Sequence, residues 1–320
     1  MRAKIQNAVS GKIDAIGLPI LALFWVSFFW GTTWLASKEG VKYMPALQLA
    51  TIRQFVGGIL YVGYFILKKE PWPKGKQWTT IFILAILNFA CSNGLSTWGV
   101  QYISSGLAAI IAAIFPIWIV VICFFQGQRI AKLAITGLLI CFGGICIIFM
   151  DHLGDFLKPD FQFGIFLSVA STITWAFGIL HTKKKAASFN PYFSLGLQML
   201  ISSFLLFGIT EAFGMNISLK EIPLVSWWAI SYLIVIGSIL TFVAFIYMLQ
   251  HLPTEITGIY AYMNPIVAII LGVILFGEIL TPAIAVGVFV TLMGLFLVNK
   301  SIRKTKFKTV RDGTRMTRIC

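Results

Sequence analysis

Charged residues are scarce in this chain, and negatively charged ones are scarcest. Only 11% of its 320 residues are charged, and 11 Asp and Glu residues stand against 25 Lys and Arg residues. A typical soluble domain carries about 25% charged residues. This chain instead has 58% hydrophobic residues and a mean hydropathy of +0.90. The composition therefore excludes a soluble globular domain.

The residue patterns of catalytic and metal sites are also missing. The 3 His and 5 Cys residues show no metal-ligand spacing. No glycine-rich loop stands beside a lysine in the arrangement that cradles a phosphate. Paired carboxylates, which many hydrolytic sites require, do not occur inside any apolar stretch. We therefore predict that the protein is not an enzyme and binds neither a metal nor a cofactor.

Ten long apolar stretches make up most of the chain. They lie near residues 16–37, 46–67, 79–99, 104–125, 131–150, 161–182, 192–212, 227–249, 255–276 and 282–299. Each is close to the roughly 20 residues that a helix needs to cross a bilayer. Since backbone groups in lipid must bond within their own segment, we predict ten transmembrane helices. The short alternating segments of a transmembrane barrel are absent.

The net charge of +14 is distributed unevenly along the chain. If both termini are placed inside, 20 of the 25 basic residues fall in inner segments, 8 of them in the basic tail at 300–320. The outer segments hold Lys38, Lys42, Lys158 and Lys220. This asymmetry follows the positive-inside rule and predicts that both termini lie in the cytoplasm. It also accounts for the charge without nucleic acid, which we do not expect as a partner.

The two halves of the chain share one residue skeleton. Residues 98–144 carry Trp98, Gln101, Pro116, Gly127, Gly137 and Gly144, and residues 247–294 carry Tyr247, Gln250, Pro265, Gly277, Gly287 and Gly294. The offset is 149 up to the prolines and 150 after them. Each half holds five predicted spans, and an odd number turns the second half upside down. We predict two inverted five-helix repeats, 16–150 and 161–299, around a central cavity.

The order and spacing of these motifs resemble the EamA-type permeases of the drug/metabolite transporter superfamily. The resemblance rests on Trp30–Gly31 with Lys38, Pro45 to Arg53, Pro116, Asn264–Pro265 and Phe276–Gly277–Glu278. It implies a ten-helix inverted-repeat fold with a central cavity that moves small metabolites across a bacterial inner membrane, often outward. One departure concerns the Gly–Glu pair that the family commonly has before the fifth helix, where this chain has Gln128. Only Glu278 can carry a role for that carboxylate.

Arg53 is the only basic residue well inside a predicted span. A charge at that depth is costly and usually faces protein or a water-filled cavity. One interpretation is a site for a substrate carboxylate, which a guanidinium binds bidentately. The other is a structural arginine that bonds helix ends or snorkels outward, because Arg53 is about eight residues from its helix start.

Polar residues of the third and eighth spans are further candidates for binding substrate. Asn88, Ser92 and Ser96 recur at a spacing of four and share one helix face, with Asn93 beside them. Thr241 is the candidate of the eighth span, the repeat partner of the third. Such a stripe either lines a cavity or bonds neighbouring helices.

Aromatic residues at related positions of the repeats form the last group of candidates. Trp30 and Trp175 occupy equivalent places, so pseudo-twofold symmetry brings both towards one central cavity, unless they serve only helix packing. Tyr260 and Tyr262 in the ninth span are further candidates. An aromatic wall suits amphipathic or aromatic substrates, and cations through the ring faces.

Two prolines, Pro116 and Pro265, fall inside the fourth and ninth spans. Each removes a backbone hydrogen bond and tends to kink its helix, which predicts either a gate or plain packing geometry.

The leading functional prediction is a secondary transporter that exports small metabolites, amino acids first, by alternating access. An antiporter of nucleotide-sugar-like or phosphorylated compounds is the alternative, although only Arg53 is available to hold phosphate. A channel or lipid scramblase is a third possibility. We expect the partners to be a small-molecule substrate and membrane lipid, and the protein to be a monomer or weak dimer. No Asp or Glu lies deep in a span, so proton coupling would fall to Glu255, or the protein is a facilitator or exchanger.

Overall fold

The computed structural model describes residues 2–127, 131–150, 153–185, 189–252, 254–257 and 259–311. Gln128 and the last residues of the basic tail, 312–320, lie outside these residues, as do the side chains of Lys183 and Glu255. Helices dominate, and no strand occurs within the described ranges.

Ten helices, numbered in chain order, correspond to the ten predicted spans. They are α1 (Arg2–Gly40), α2 (Ala46–Leu67), α3 (Lys76–Gly99), α4 (Ser105–Phe125), α5 (Lys132–Met150), α6 (Pro159–Lys185), α7 (Pro191–Ala212), α8 (Leu224–His251), α9 (Tyr260–Phe276) and α10 (Pro282–Arg311). Nine contain apolar segments long enough to cross a membrane, and α9 is a shorter apolar helix of the described chain. The protein is therefore an all-helical, multi-pass membrane protein, as predicted.

Helix packing follows the inverted repeat. Helix α2 packs on α7, α5 on α10 and α4 on α9, so these three pairs join equivalent helices of the two halves. Helix α1 packs against α8 and α9, and its counterpart α6 packs against α3 and α4. Exchanging the halves therefore exchanges these contacts with one another, and the predicted pair of inverted five-helix repeats is confirmed.

The glycines of the repeated skeleton bring α5 and α10 into backbone contact. A Cβ atom at Gly137 would lie 2.8 Å from the Gly294 carbonyl oxygen, and one at Gly294 would lie 2.7 Å from the Gly137 oxygen. The second pair, Gly144 and Gly287, shows the same reciprocal approach at 2.7 and 2.8 Å. Small residues allow helix backbones to meet in a membrane. These four glycines hold the two repeats together along one side.

Equivalent helices α3 and α8 each contain a π-helical segment, Ala85–Asn93 and Leu233–Leu240. A π segment leaves carbonyls that need partners. Side chains of α2 supply them, because Gln54 donates to the Phe89 oxygen (3.2 Å) and the Tyr61 hydroxyl donates to the oxygens of Ser238 and Ile239 (3.2 and 3.0 Å). Helix α2 thus fixes the π segments of both repeats.

The two repeated prolines act differently in the structure. Helix α4 is interrupted at Ile114 and resumes at Phe115, so Pro116 lies in the first turn of a second helical piece rather than inside a continuous helix. A proline is tolerated there because that turn needs no backbone donor. Pro265 lies inside α9 without an interruption. The helix therefore breaks at Pro116 and continues through Pro265, and a gating role for either proline stays a prediction.

Candidate functional site

A central cavity of about 160 Å³ lies between helices of both repeats. Its walls come from α1, α2, α3, α4, α6, α8 and α9. Seven of the predicted site residues line it, namely Trp30, Arg53, Asn88, Ser92, Asn93, Trp175 and Tyr260. A cavity of this volume with polar walls has room for several water molecules or for part of a small metabolite.

Arg53 reaches this cavity from α2 and crosses to the other repeat. Its side chain is only 5% exposed, and its Nε donates to the Ser238 hydroxyl at 2.8 Å. Gly237 makes room for it, because a Cβ atom there would lie 3.2 Å from Arg53 Nη2. The guanidinium therefore points into the bundle, which rules out outward snorkelling. Among the described residues, no carboxylate lines the cavity and none forms an ion pair with Arg53.

The polar wall of α3 is oriented by hydrogen bonds from α2. The Asn93 Oδ1 accepts from Gln54 Nε2 at 3.2 Å, and the Gln54 Oε1 accepts from the Ser202 hydroxyl. Gln54 is completely buried, so it holds the Asn93 amide in one orientation. The Asn93 amide nitrogen has no protein partner in the described part of the chain, and its N–H groups are free to bind a ligand.

Asn88, one turn earlier, packs into a notch at Gly178 of α6. A Cβ atom at Gly178 would lie 1.8 Å from Asn88 Oδ1, so this contact requires glycine. The Asn88 amide nitrogen donates to Gln198 at 3.4 Å, whereas the buried Oδ1 accepts no hydrogen bond in the described structure.

Aromatic rings form another part of the cavity wall. The Trp30 ring lies 5.1 Å from Phe242 and 5.4 Å from Tyr260, and Phe115 stacks on Tyr260 at 6.4 Å between centroids. Trp175 lines the same cavity from α6. The prediction that the two repeat-related tryptophans meet at one cavity therefore agrees with this geometry.

Asn264 adds a polar group near these rings. In the orientation that satisfies hydrogen bonding, its amide nitrogen donates to the backbone oxygens of Ser27 (2.7 Å) and Tyr260 (3.2 Å). That arrangement leaves its Oδ1 as an acceptor at the cavity. Donors at Arg53 and Asn93 are thus complemented by an acceptor at Asn264.

Two predicted site residues do not line the cavity. The Thr241 hydroxyl donates to the Ile236 carbonyl at 2.7 Å and so serves the π segment of its own helix. The Tyr262 hydroxyl donates to the Leu295 oxygen of α10 at 3.2 Å and accepts from Asn299. Tyr262 follows Tyr260 by two residues, which places its side chain on another face of the helix. Both residues bond helices rather than contact the cavity.

Several lining residues were missed by the sequence analysis. Thr33 and Ser37 follow Trp30 on one face of α1, and Ser171 and Thr172 precede Trp175 on one face of α6. Spacings of three, four and seven residues from each tryptophan are a helical signal that could have identified them.

Metal-ligating residues do not cluster anywhere in the described ranges. The site is therefore made of one cation, amides, hydroxyls and rings. It can bind and orient a polar molecule, and the lining that the structure describes contains no nucleophile with an adjacent base.

Comparison with known proteins places this architecture in a family. The model of the EamA-like transporter family matches residues 17–150 and 162–300. An Escherichia coli protein named uncharacterized inner membrane transporter YedA is 29% identical over 296 residues, which cover 90% of this chain and 94% of that one. The Bacillus subtilis uncharacterized transporter YvbV is 25% identical, with 89% and 93% covered.

A solved crystal structure shares the fold, with a TM-score of 0.61 and 17% identity over 88% of this chain and 96% of that one. The names of the relatives and of the family indicate a transporter rather than an enzyme. The two matched segments coincide with the two inverted repeats that enclose the cavity. The chain belongs to the EamA-like transporter family.

Proposed function

We propose that this transporter carries small metabolites with a carboxylate group, amino acids first among them, out of the cytoplasm by alternating access. The observation that carries the proposal is Arg53, a buried cation that lines the cavity and whose one hydrogen-bond partner among the described residues is the Ser238 hydroxyl. An unpaired buried charge is costly in a bilayer, so a carboxylate that binds there completes the site.

The rest of the cavity supports a substrate with two unlike ends. Asn93 offers N–H donors to an anion together with Arg53, whereas Asn264 offers an oxygen acceptor beside the rings of Trp30 and Tyr260. An ammonium group is attracted both by an amide oxygen and by aromatic faces. A zwitterion therefore matches the walls better than a neutral molecule or a simple cation.

A phosphorylated or nucleotide-sugar-like substrate is a weaker match. Two or more negative charges call for more than one cation, and Arg53 is the only charged residue that lines the cavity among the described residues. For the same reason, an antiporter of such compounds ranks below a carrier of monocarboxylates and amino acids.

The test is transport in proteoliposomes with the protein purified in detergent. A panel of labelled amino acids, monocarboxylates, nucleosides and aromatic cations is offered with and without a proton gradient. We expect saturable uptake of at least one carboxylate compound. If lipids flip and no panel member moves, the protein is a scramblase and the proposal is wrong.

Arg53 provides the decisive variants. The second repeat has a buried methionine, Met199, at the equivalent position, so Arg53→Met removes the charge with a side chain that the repeat already holds there. Loss of a charged hydrogen-bond partner is worth about 1.5–3 kcal/mol, which predicts roughly a 10- to 150-fold weaker binding of the carboxylate. Arg53→Lys retains the charge and should recover part of this loss. The amide derivative of the same substrate serves as control, because its binding should change little.

A further inference from the structure

The short α3–α4 turn, residues 100–104, is held by two charged side chains at the end of the cavity. Lys38 at the end of α1 donates from Nζ to the backbone oxygens of Val100 (2.9 Å), Gln101 (3.2 Å) and Ile103 (2.8 Å). Its ammonium group thereby satisfies carbonyls at the C-terminal end of α3. A cation at this end also complements the helix dipole.

Glu278 binds the other side of the same turn, from the second repeat. Its Oε1 accepts from the Ser105 backbone N–H (2.8 Å) and hydroxyl (2.6 Å), and its Oε2 accepts from the Gly106 N–H at 3.2 Å. These are the first N–H groups of α4, where a carboxylate complements the dipole. The carboxylate of Glu278 and the ammonium of Lys38 are also close enough to attract each other.

The chain turns sharply to bring Glu278 to this place. Helix α9 ends at Phe276, and the next residue, Gly277, has a φ of +62° in the left-handed region. The Glu278 N–H then donates to the Gly272 oxygen at 3.1 Å. This helix-ending motif reverses the chain direction at once. The carboxylate then rests against Gly272 and Gly106, where a Cβ atom would lie 2.6 and 3.4 Å from its Oε2.

The turn stands at one end of the cavity. Ser37, Thr97 and Ala109 line the cavity, and each lies within four residues of a group in these contacts. Opening the cavity at this end requires the α3–α4 turn to leave α1 and the α9–α10 connection. That movement breaks the bonds of Lys38 and Glu278 together.

We infer that Lys38 and Glu278 form a latch that keeps the cavity closed at this end while no substrate is bound. The inference rests on the proposed alternating access and adds the gate to it. By the distribution of basic residues, this end is the predicted outer face.

The sequence makes the latch asymmetric. The repeat equivalent of Lys38 is Lys183, but the equivalent of Glu278 is Gln128, which has no charge. The sequence of the first repeat therefore lacks a carboxylate at the position equivalent to Glu278. The closed state is favoured more strongly at the Lys38 end, so the empty carrier rests with its cavity facing the other side. A protein that loads its substrate from the cytoplasm needs this bias.

The test measures how fast a cavity cysteine reacts from each side of the membrane. Ser37→Cys reports how accessible the cavity is at the Lys38 end. Ala261→Cys, which also lines the cavity but lies in α9, reports how accessible the cavity is from the opposite side. Vesicles of known sidedness receive a membrane-impermeant maleimide, and mass spectrometry of the peptide containing residue 37 or 261 gives the rate. Lys158→Cys, an exposed loop position on the predicted Lys38 side, identifies that side in the same vesicles.

We expect Glu278→Gln to speed labelling of Ser37→Cys from the Lys158 side by about tenfold, which corresponds to about 1.4 kcal/mol of lost preference for the closed state. Lys38→Met should act in the same direction, and Glu278→Asp should lie between Glu278→Gln and the parent. Labelling of Ala261→Cys from the opposite side should fall, because the two ends alternate. A purely structural loosening would raise both rates.

The matched control is Glu211→Gln, which removes an exposed carboxylate at the end of α7 whose described partner is Asn216. It should leave both rates unchanged. If Glu278→Gln and Lys38→Met also leave them unchanged while Ser37→Cys still reacts, the latch is refuted and alternating access survives. If Ser37→Cys and Ala261→Cys react from neither side in any variant, both proposals fail. Ser105→Ala, which removes only one hydroxyl donor, gives a milder test where the charge variants do not fold.

Discussion

Adjacent glycines on α5 provide a sharp test of the interface between the repeats. A Cβ atom at Gly144 would lie 2.5 Å from the Thr291 backbone nitrogen and 2.7 Å from the Gly287 oxygen of α10. A Cβ atom at Gly143 would meet no heavy atom within 4 Å. The substitutions Gly144→Ala and Gly143→Ala therefore add the same methyl group to the same helix in opposite surroundings.

The magnitude follows from these distances. Carbon contacts are favourable at about 3.5–4.0 Å, so α5 and α10 must separate by about 1 Å to admit the methyl group at Gly144. The obstructing atoms are backbone, and a rigid helix that moves also weakens the Gly137–Gly294 contact. Overpacking of this kind lowers the free energy of unfolding by up to about 3 kcal/mol, whereas replacing a helical glycine by alanine raises it by about 1 kcal/mol. We expect a net loss of about 2 kcal/mol for Gly144→Ala and a gain of up to about 1 kcal/mol for Gly143→Ala.

The assay is equilibrium unfolding in mixed micelles as the mole fraction of denaturing detergent rises. By the inverted repeat, Gly294→Ala should behave like Gly144→Ala, since a Cβ atom there would lie 2.4 Å from the Cys141 nitrogen. Equal free energies of unfolding for Gly143→Ala and Gly144→Ala would refute the close glycine contact between the repeats.

Two further predictions concern side chains that support the cavity. Gln54→Leu removes hydrogen bonds to Phe89, Asn93 and Ser202 and should lower the free energy of unfolding by about 2 kcal/mol, at about 0.6 kcal/mol for each bond in a membrane protein. It should also reduce the preference for a carboxylate over its amide, and an unchanged preference in binding assays would contradict the role given to the Asn93 amide. Tyr262→Phe should lower stability by about 1 kcal/mol or less and leave KM for transport unchanged, because its hydroxyl bonds α10. A large change in KM would contradict this prediction and show that Tyr262 takes part in substrate binding.

The secondary structure of this protein was largely readable from its sequence. The predicted and observed bounds of α2, 46–67, coincide, because apolar length and the lipid requirement for internal backbone bonds leave a helix no alternative. The ninth span is less continuous than predicted, since a helical turn at Thr254–Thr257 precedes α9, which begins at Tyr260. The prediction that Trp30 and Trp175 share a cavity came from the repeat, which relates positions that are far apart in the chain.

Individual side-chain roles depended on contacts between helices. The inward direction of Arg53 follows from Ser238 and Gly237, residues 185 and 184 positions away, so no local pattern could separate substrate binding from snorkelling. The π segments have no sequence signal of their own, yet a carbonyl of one of them, that of Ile236, accepts the hydrogen bond of the Thr241 hydroxyl. Tyr262 lies on a different face of α9 from Tyr260, and its hydroxyl bonds α10.

The sequence by itself determined the membrane-spanning helices, their number and the inverted duplication, because these depend on hydropathy and on counting spans. Only the tertiary structure decided that Lys38 and Glu278, which lie 240 positions apart, bind opposite sides of the same turn. The physical reason is that a helix end offers unpaired N–H or C=O groups to whichever charge the packing brings near. The sequence names the charges, and the fold selects the helix ends they meet.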